Sequence, residues 1–256
     1  MVPAYGTTTF VGGRPFSFAD EEGIDLSAMP NYDLMRDIQQ RYKKAAGLPS
    51  RDFYSIFYGP LQPSKFLMIN ANPGGSPTSY RIVNVYAGEH EYIEGRNSGP
   101  TTRNAAEILQ YVAGSEDPEA LRGLQVINRF FRRSPERPSR TIERSYVAEA
   151  RPFVNELINY IEPEAILFGG DSSVTAFAAA HGGTAVGGAP IMGPNGSREA
   201  VYFRDYELKL PYYRAIPAVG IYHPCKLNGV FRQTVLPLLL ARFGGLSPTD
   251  LTIRSE

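Results

Sequence analysis

Three polar side chains each follow an apolar run in this chain: Asn72 after Phe66 to Ile69, Asn128 after Leu124 to Ile127, and His223 after Ala218 to Tyr222. Runs of this length and composition predict short buried strands. Two amides and an imidazole can each donate and accept hydrogen bonds. In parallel sheets the carboxyl ends of strands line the binding crevice, so side chains delivered there could face one pocket. Pro73, Gly74 and Gly75 stop the first run and let backbone N–H groups come close to a ligand. Each segment also has a plainer reading. Asn-Pro-Gly makes an ordinary type I or II turn, an asparagine after a strand is a common turn residue, and a lone histidine is commonly structural. Repetition of the arrangement at three strand ends favours a site over turn chemistry.

The elements that must position these groups follow from periodicity. Further strands are expected at Ala165 to Phe168 and Glu199 to Arg204. Asn31 to Ala46 predicts a helix with Leu34, Ile38, Tyr42 and Ala45 on one face, Asp33 in its first turn, Lys43 and Lys44 in its last, and Gly47 closing it. Thr102 to Ala113 and Arg144 to Ile161 carry apolar faces at the same spacing. Alternation of strands and helices implies a three-layer α/β/α fold around a mostly parallel, four-stranded sheet. Gly169-Gly-Asp-Ser-Ser173 joins a strand to the alanine-rich helix Val174 to Ala180. It lacks the lysine of a phosphate-binding loop and the spacing of a dinucleotide fingerprint, so its role is mainly structural, with Asp171 or Ser172 as the helix cap. The glycine-rich stretch Gly182 to Gly196 reads as a mobile surface loop.

The 256 residues, 43% of them hydrophobic, are enough for one sizeable core. An irregular arm over residues 1–30 followed by a single domain over 31–256 is the expected organisation. The 26 basic and 26 acidic residues cancel, so overall charge neither supports nor excludes a nucleic-acid partner. One cysteine, Cys225, rules out an intramolecular disulfide framework and a cluster of cysteine ligands, and fits a reducing, cytoplasmic compartment. No apolar run approaches the ~20 residues of a membrane span, and no signal peptide is evident at the amino terminus.

Taken together, Ile69-Asn-Ala-Asn-Pro-Gly74, Val126-Ile-Asn-Arg-Phe-Phe-Arg-Arg-Ser-Pro135 and His223-Pro-Cys225 resemble, in order and spacing, the motifs of the uracil-DNA glycosylase superfamily. The first resembles the Asn-Pro-Gly motif of its mismatch-specific and single-strand-selective branches, the second the middle strand of its iron–sulfur branch. Similarity extends over roughly Ser64 to Phe243. The cluster-binding cysteines of that branch are absent, with Ala150 near one such position, so no iron–sulfur cluster, other metal or cofactor is expected. Asn70 stands where the first motif usually opens with glycine, and Cys225 where serine usually follows His-Pro.

The resemblance implies an enzyme that flips a damaged base out of DNA and hydrolyses its N-glycosidic bond, leaving an abasic site. Asn72 would orient the attacking water, and His223 would donate to the charge developing on the base. Asn128 would read uracil, donating to O4 and accepting from N3–H, a pattern that cytosine reverses. Tyr80, ahead of Tyr86, would stack under the base, with Pro73 and Gly74 beside it. Leu227 would wedge into the vacated stack. Lys226, Arg129, Arg132 and Arg133, with Arg103, Arg137, Arg140 and Arg144, would form a phosphate-facing rim. A solvated loop in which the arginines pair with Glu136 and Glu143 is the bland alternative. Two other functions stay open: a nucleic-acid or nucleobase-binding member of the same fold without catalysis, and a hydrolase using Cys225 with His223.

Overall fold

The structure, a computed structural model, describes residues 31–49, 53–73, 85, 88–94, 99–133, 139–180, 183–187, 190–191, 201–209, 215–224, 229 and 231–243. Its centre is a run of four parallel strands in the order β2 (Gln125–Asn128), β1 (Phe66–Asn70), β3 (Ala165–Gly169) and β7 (Ala215–Ile221). Every residue of β1, β2 and β3 is buried, which is why they read as unbroken apolar runs.

Alternation along these strands builds two cores. Leu67, Ile69, Ile127, Ile166, Phe168 and Ala218 pack on one face with α1 (Tyr32–Ala46), α3 (Arg140–Ile161) and α4 (Asp171–Ala180). Phe66, Met68, Val126, Leu167, Val219 and Ile221 pack on the other with α2 (Pro100–Ala113) and α5 (Leu236–Phe243). The molecule therefore has the three layers expected of it. A fully buried leucine or phenylalanine contributes about 1.5–3 kcal/mol, and Leu67, Phe168, Leu157 and Leu239 are wholly enclosed.

The sheet is larger than the expected four strands. Beyond β7 lies β6 (Val201–Lys209), antiparallel to it, and then β4 (Thr184–Gly187), antiparallel to β6; β5 (Pro190–Ile191) also pairs with β6. Part of the glycine-rich stretch read as a loop is thus strand: β4 is exposed at all four positions, and without a buried face it gives no alternation for a sequence reading to find. The expected strand at Glu199 to Arg204 runs instead to Lys209. Helix α3 starts at Arg140, where Ser139 accepts from the Ile142 N–H, and α4 already includes Asp171, which is therefore its first residue rather than its cap. The arm at residues 1–30 lies outside the described residues.

Chain direction creates a crevice. From β1 the chain passes through α2, on one face, to β2; from β3 it enters α4, on the opposite face. Adjacent parallel strands whose following helices diverge to opposite faces form a topological switch point, the usual ligand crevice of an open α/β sheet.

Candidate functional site

Parallel register sets the level of the four strand ends. Asn70 pairs with Asn128 on one side and Gly169 on the other, and Gly169 pairs with Ile221. Asn72 lies two residues beyond this line on β1, and His223 two beyond it on β7. Since β3 separates these strands, their ends are about 10 Å apart across the sheet. Three of the predicted site residues, Asn72, Asn128 and His223, thus share one edge of the sheet.

Their surroundings differ. Asn128 is fully enclosed: its Oδ1 accepts from the Tyr58 hydroxyl at 2.9 Å, and its Nδ2 donates to the Ser55 carbonyl at 3.3 Å. The segment supplying both partners crosses the outer edge of β2, where Phe57 bridges Ile127 and Tyr54 bridges Arg132. Asn72 is half-buried, and its Nδ2 donates to the carbonyl of Pro73, its buried neighbour, at 3.1 Å. His223 is also half-buried; desolvation holds its pKa below the ordinary histidine value, so the ring is neutral at pH 7. A neutral imidazole carries one N–H donor. The turn that holds His223 is fixed from below, because the buried Asn104 of α2 donates from Nδ2 to the Pro224 carbonyl at 2.8 Å.

Two of the arginines expected on a phosphate rim are engaged inside the protein. Arg129 is buried and pairs with Glu143, while its backbone N–H donates to the Asn70 carbonyl at 2.7 Å. Arg132 grips Glu149 with Nε and Nη2, donates to the Ala46 carbonyl at 2.7 Å, and lies over the Tyr146 ring. The pairing of Arg129 with Glu143 is the one the bland alternative named; Arg132 turns to α3 because Glu149 lies on the helix face above it. Arg133 is partly buried, close enough for its charge to act on the Tyr58 hydroxyl. Arg103, Arg140 and Arg144 are exposed. Gly74, Tyr80, Tyr86, Cys225, Lys226, Leu227, Glu136 and Arg137 lie outside the described residues.

Several residues at this edge were not singled out from the sequence for the site. Asn70, noted only as a departure from a motif, is buried and donates from Nδ2 to the Tyr92 hydroxyl at 2.8 Å. Its Oδ1 occupies the space beside Gly169, where an added Cβ would come within 2.4 Å of it, so the glycine at the end of β3 makes room for the amide. Tyr58 and Tyr92 stack at a tilt with centroids 5.3 Å apart, both buried. Asn104 was detectable in principle, as an amide set beside Ala105 and Ala106 on a helix face that is otherwise apolar. Tyr58 carried no such signal, because the segment before β1 has no period.

Among the described residues no group of three or more histidine, cysteine or acidic side chains is placed to hold a metal ion, and no helix is long and apolar enough to cross a membrane. Neither a protein-family model nor a curated protein matches this chain. Function must therefore be argued from the edge itself. It offers an amide and a neutral imidazole beyond the ends of the two strands that flank β3, with a further amide held rigidly at the end of β2.

Proposed function

We propose that the protein is a DNA glycosylase of the uracil-DNA glycosylase type, which hydrolyses the N-glycosidic bond of uracil or a related deaminated base and leaves an abasic site. The observation that carries this reading is the switch point between β1 and β3, with Asn72 beyond the end of β1 and a neutral His223 beyond the end of β7, on the far side of β3. The sequence motifs that suggested the activity thereby fall at one edge of one sheet.

Cleavage develops positive charge on the sugar and negative charge on the departing base. A histidine that is already neutral can donate its N–H to the base oxygen, and the hydrogen bond strengthens as charge accumulates. Asn72 orients water toward C1′; an amide is a poor base, but the electrophile is strong and orientation suffices. The resemblance gives the reading of the base to Asn128, whose amide is enclosed and bonded at both ends in the protein. Exposed Arg103, and Lys226 with Leu227 shortly after His223 in the sequence, are the proposed DNA contacts, while the buried pairing of Arg129 argues against a phosphate role for that residue.

Incubation with uracil-containing single- or double-stranded oligonucleotides should leave alkali-labile sites. Asn72→Ala and His223→Ala should each slow their formation about 10²- to 10³-fold, the usual cost of removing one preorganised donor. Absence of such sites with the wild type, or wild-type rates in both variants, rejects the proposal. One observation favours a second reading, a nucleobase- or nucleic-acid-binding member of the fold without turnover: the Asn128 amide already has partners in Ser55 and Tyr58. Tight binding of uracil or abasic DNA without excision would select it.

A further inference from the structure

Asn70 and Asn128 are register partners, but the amide of Asn70 is tied at one end only. Its Nδ2 donates to the Tyr92 hydroxyl at 2.8 Å, and the amide also lies against the Tyr58 hydroxyl. Its Oδ1 has no donor among the described residues. A chain of hydrogen bonds starting at a backbone carbonyl fixes which end faces which way. The Ser55 carbonyl can only accept, so Asn128 turns Nδ2 to it and Oδ1 to Tyr58. Tyr58, kept protonated by burial, gives its one proton to that oxygen and can only accept from Asn70, so Nδ2 is the atom that faces it. From these facts we infer that Asn70 Oδ1 is a ligand-binding acceptor at the end of β1, and that it receives the ring N–H of a deaminated base.

The placement suits a ligand. Asn70 is the last residue of β1, one of the two strands of the switch point, and is level with Gly169 at the end of β3. Its Oδ1 lies over that glycine, where an added Cβ would come within 2.4 Å of the oxygen and 3.1 Å of Met68 Cε. The residue is more than nine-tenths buried yet keeps 7% of its surface open, whereas Asn128 keeps none. His90 Nε2 is sealed as well as unpaired; Asn70 Oδ1 is unpaired without being sealed. An acceptor in such a place costs desolvation until something donates to it. Uracil can donate from N3–H, and hypoxanthine and xanthine from N1–H. Cytosine and adenine carry a lone pair on the same ring atoms, which the oxygen repels. Deamination thus turns an acceptor into a donor, and one fixed acceptor distinguishes the two. An amide free to turn would not, because its N–H₂ would suit cytosine; the two tyrosines hold it.

The class of ligand rests on the glycosylase reading, so binding is measured apart from excision. Calorimetric titration of the full chain with two pairs of free bases, uracil with 3-methyluracil and hypoxanthine with 1-methylhypoxanthine, compares each ring N–H with its methylated form. The wild type should bind the N–H member of at least one pair more tightly. Asn70→Ala should weaken that member about three- to tenfold, the worth of one hydrogen bond, and leave the methylated member little changed, so that the ratio narrows. Gly169→Ala keeps the amide and both tyrosines but displaces the oxygen, and should narrow the ratio in the same direction. It decides the matter if Asn70→Ala does not fold. Equal weakening of both members, or of neither, overturns the acceptor role and leaves Asn70 a structural residue. A wild type that binds no base of either pair also overturns it, even where excision of uracil from DNA upholds the glycosylase reading. A wild type that shows the predicted ratios but excises nothing overturns the glycosylase reading alone, and Asn70 stands as the acceptor of a nucleobase-binding site.

Discussion

The β2 end and the β7 end of the same sheet edge are built in opposite ways. At β2, Asn128 is sealed, both ends of its amide are held, and the next residue, Arg129, is a buried cation paired with Glu143. At β7, His223 is half-buried, and the anchor for its turn is a bond from Asn104 to the backbone of Pro224. A group that discriminates between ligands must not rotate, and a group that follows developing charge must reach the ligand. On the proposed reading, selectivity belongs to the closed end and reactivity to the open one. It also implies that substitutions at the β2 end damage folding first, whereas those at β7 damage chemistry first.

The largest stability effect should therefore come from Glu143→Gln. Arg129 would lose its charge partner inside the protein, and stranding a largely buried ion costs about 3 kcal/mol or somewhat more. Urea denaturation should show it as a lower midpoint at unchanged slope. Replacing the pair together, Arg129→Met with Glu143→Leu, should recover most of the loss, because neither desolvated charge remains. Equal destabilisation by the single and double replacements would remove the claim that the β2 end is held by a buried ion pair. His223→Ala, by comparison, should shift the midpoint little.

What the sequence displayed and what it concealed divide along the same line. The buried parallel strands were legible because Phe66 to Ile69 and Ala165 to Phe168 are uninterrupted apolar runs. That Asn72, Asn128 and His223 lie at one edge of the sheet followed from strand ends in a parallel sheet. Exposed β4 was illegible because no face of it is buried, and the extension of β6 to Lys209 was missed with it. The partners of Asn128 were illegible for another reason: Ser55 and Tyr58 reach it through an aperiodic segment 73 and 70 residues away, contacts that no local pattern encodes. The internal pairing of Arg132 with Glu149 depends likewise on which face α3 turns to the sheet. Charge counts could not reveal it.

A second way to stress the β2 side of the sheet is acid, at the amino-terminal end of that strand. His90 is buried behind Gly59, where an added Cβ would lie 2.3 Å from the imidazole, and its Nδ1 accepts from the Tyr92 N–H at 3.2 Å. Burial, the dominant cause, lowers its pKa to about 4; Glu94 and the Leu124 backbone oppose the shift, Arg122 adds to it, and the buried Nε2 closes no hydrogen bond. The unfolded chain, with a value near 6.5, binds the proton first, so stability is complete above pH 6.5 and falls as pH drops toward 4. At pH 5 the loss should be about 2 kcal/mol. The difference in unfolding free energy between pH 7.5 and pH 5 should shrink by about that amount in His90→Asn, which keeps an acceptor near Nδ1. An equal pH dependence in both proteins would show that His90 is not the group responsible, and that acid sensitivity does not mark this end of the sheet.

The smallest effect should distinguish the open end. Asn104→Ala removes the bond to the Pro224 carbonyl and leaves that oxygen in a place shielded by α2. Leaving a shielded acceptor unpaired costs about 1–3 kcal/mol, and stability should fall at the low end of that range. Activity should fall further than stability alone explains, because the lost anchor fixes the backbone next to His223, and a displacement near 1 Å at a reacting group can cost up to about 10²-fold. The comparison turns on the pattern rather than the size. At β7 a loss of about 1 kcal/mol in folding should accompany a disproportionate loss in uracil excision, with KM little changed. At β2 Glu143→Gln should cost more in folding than in the rate measured on the fraction that remains folded. If Asn104→Ala slows excision no more than its folded fraction predicts, the turn carrying His223 is set by its own loop, and the open end needs no anchor from α2.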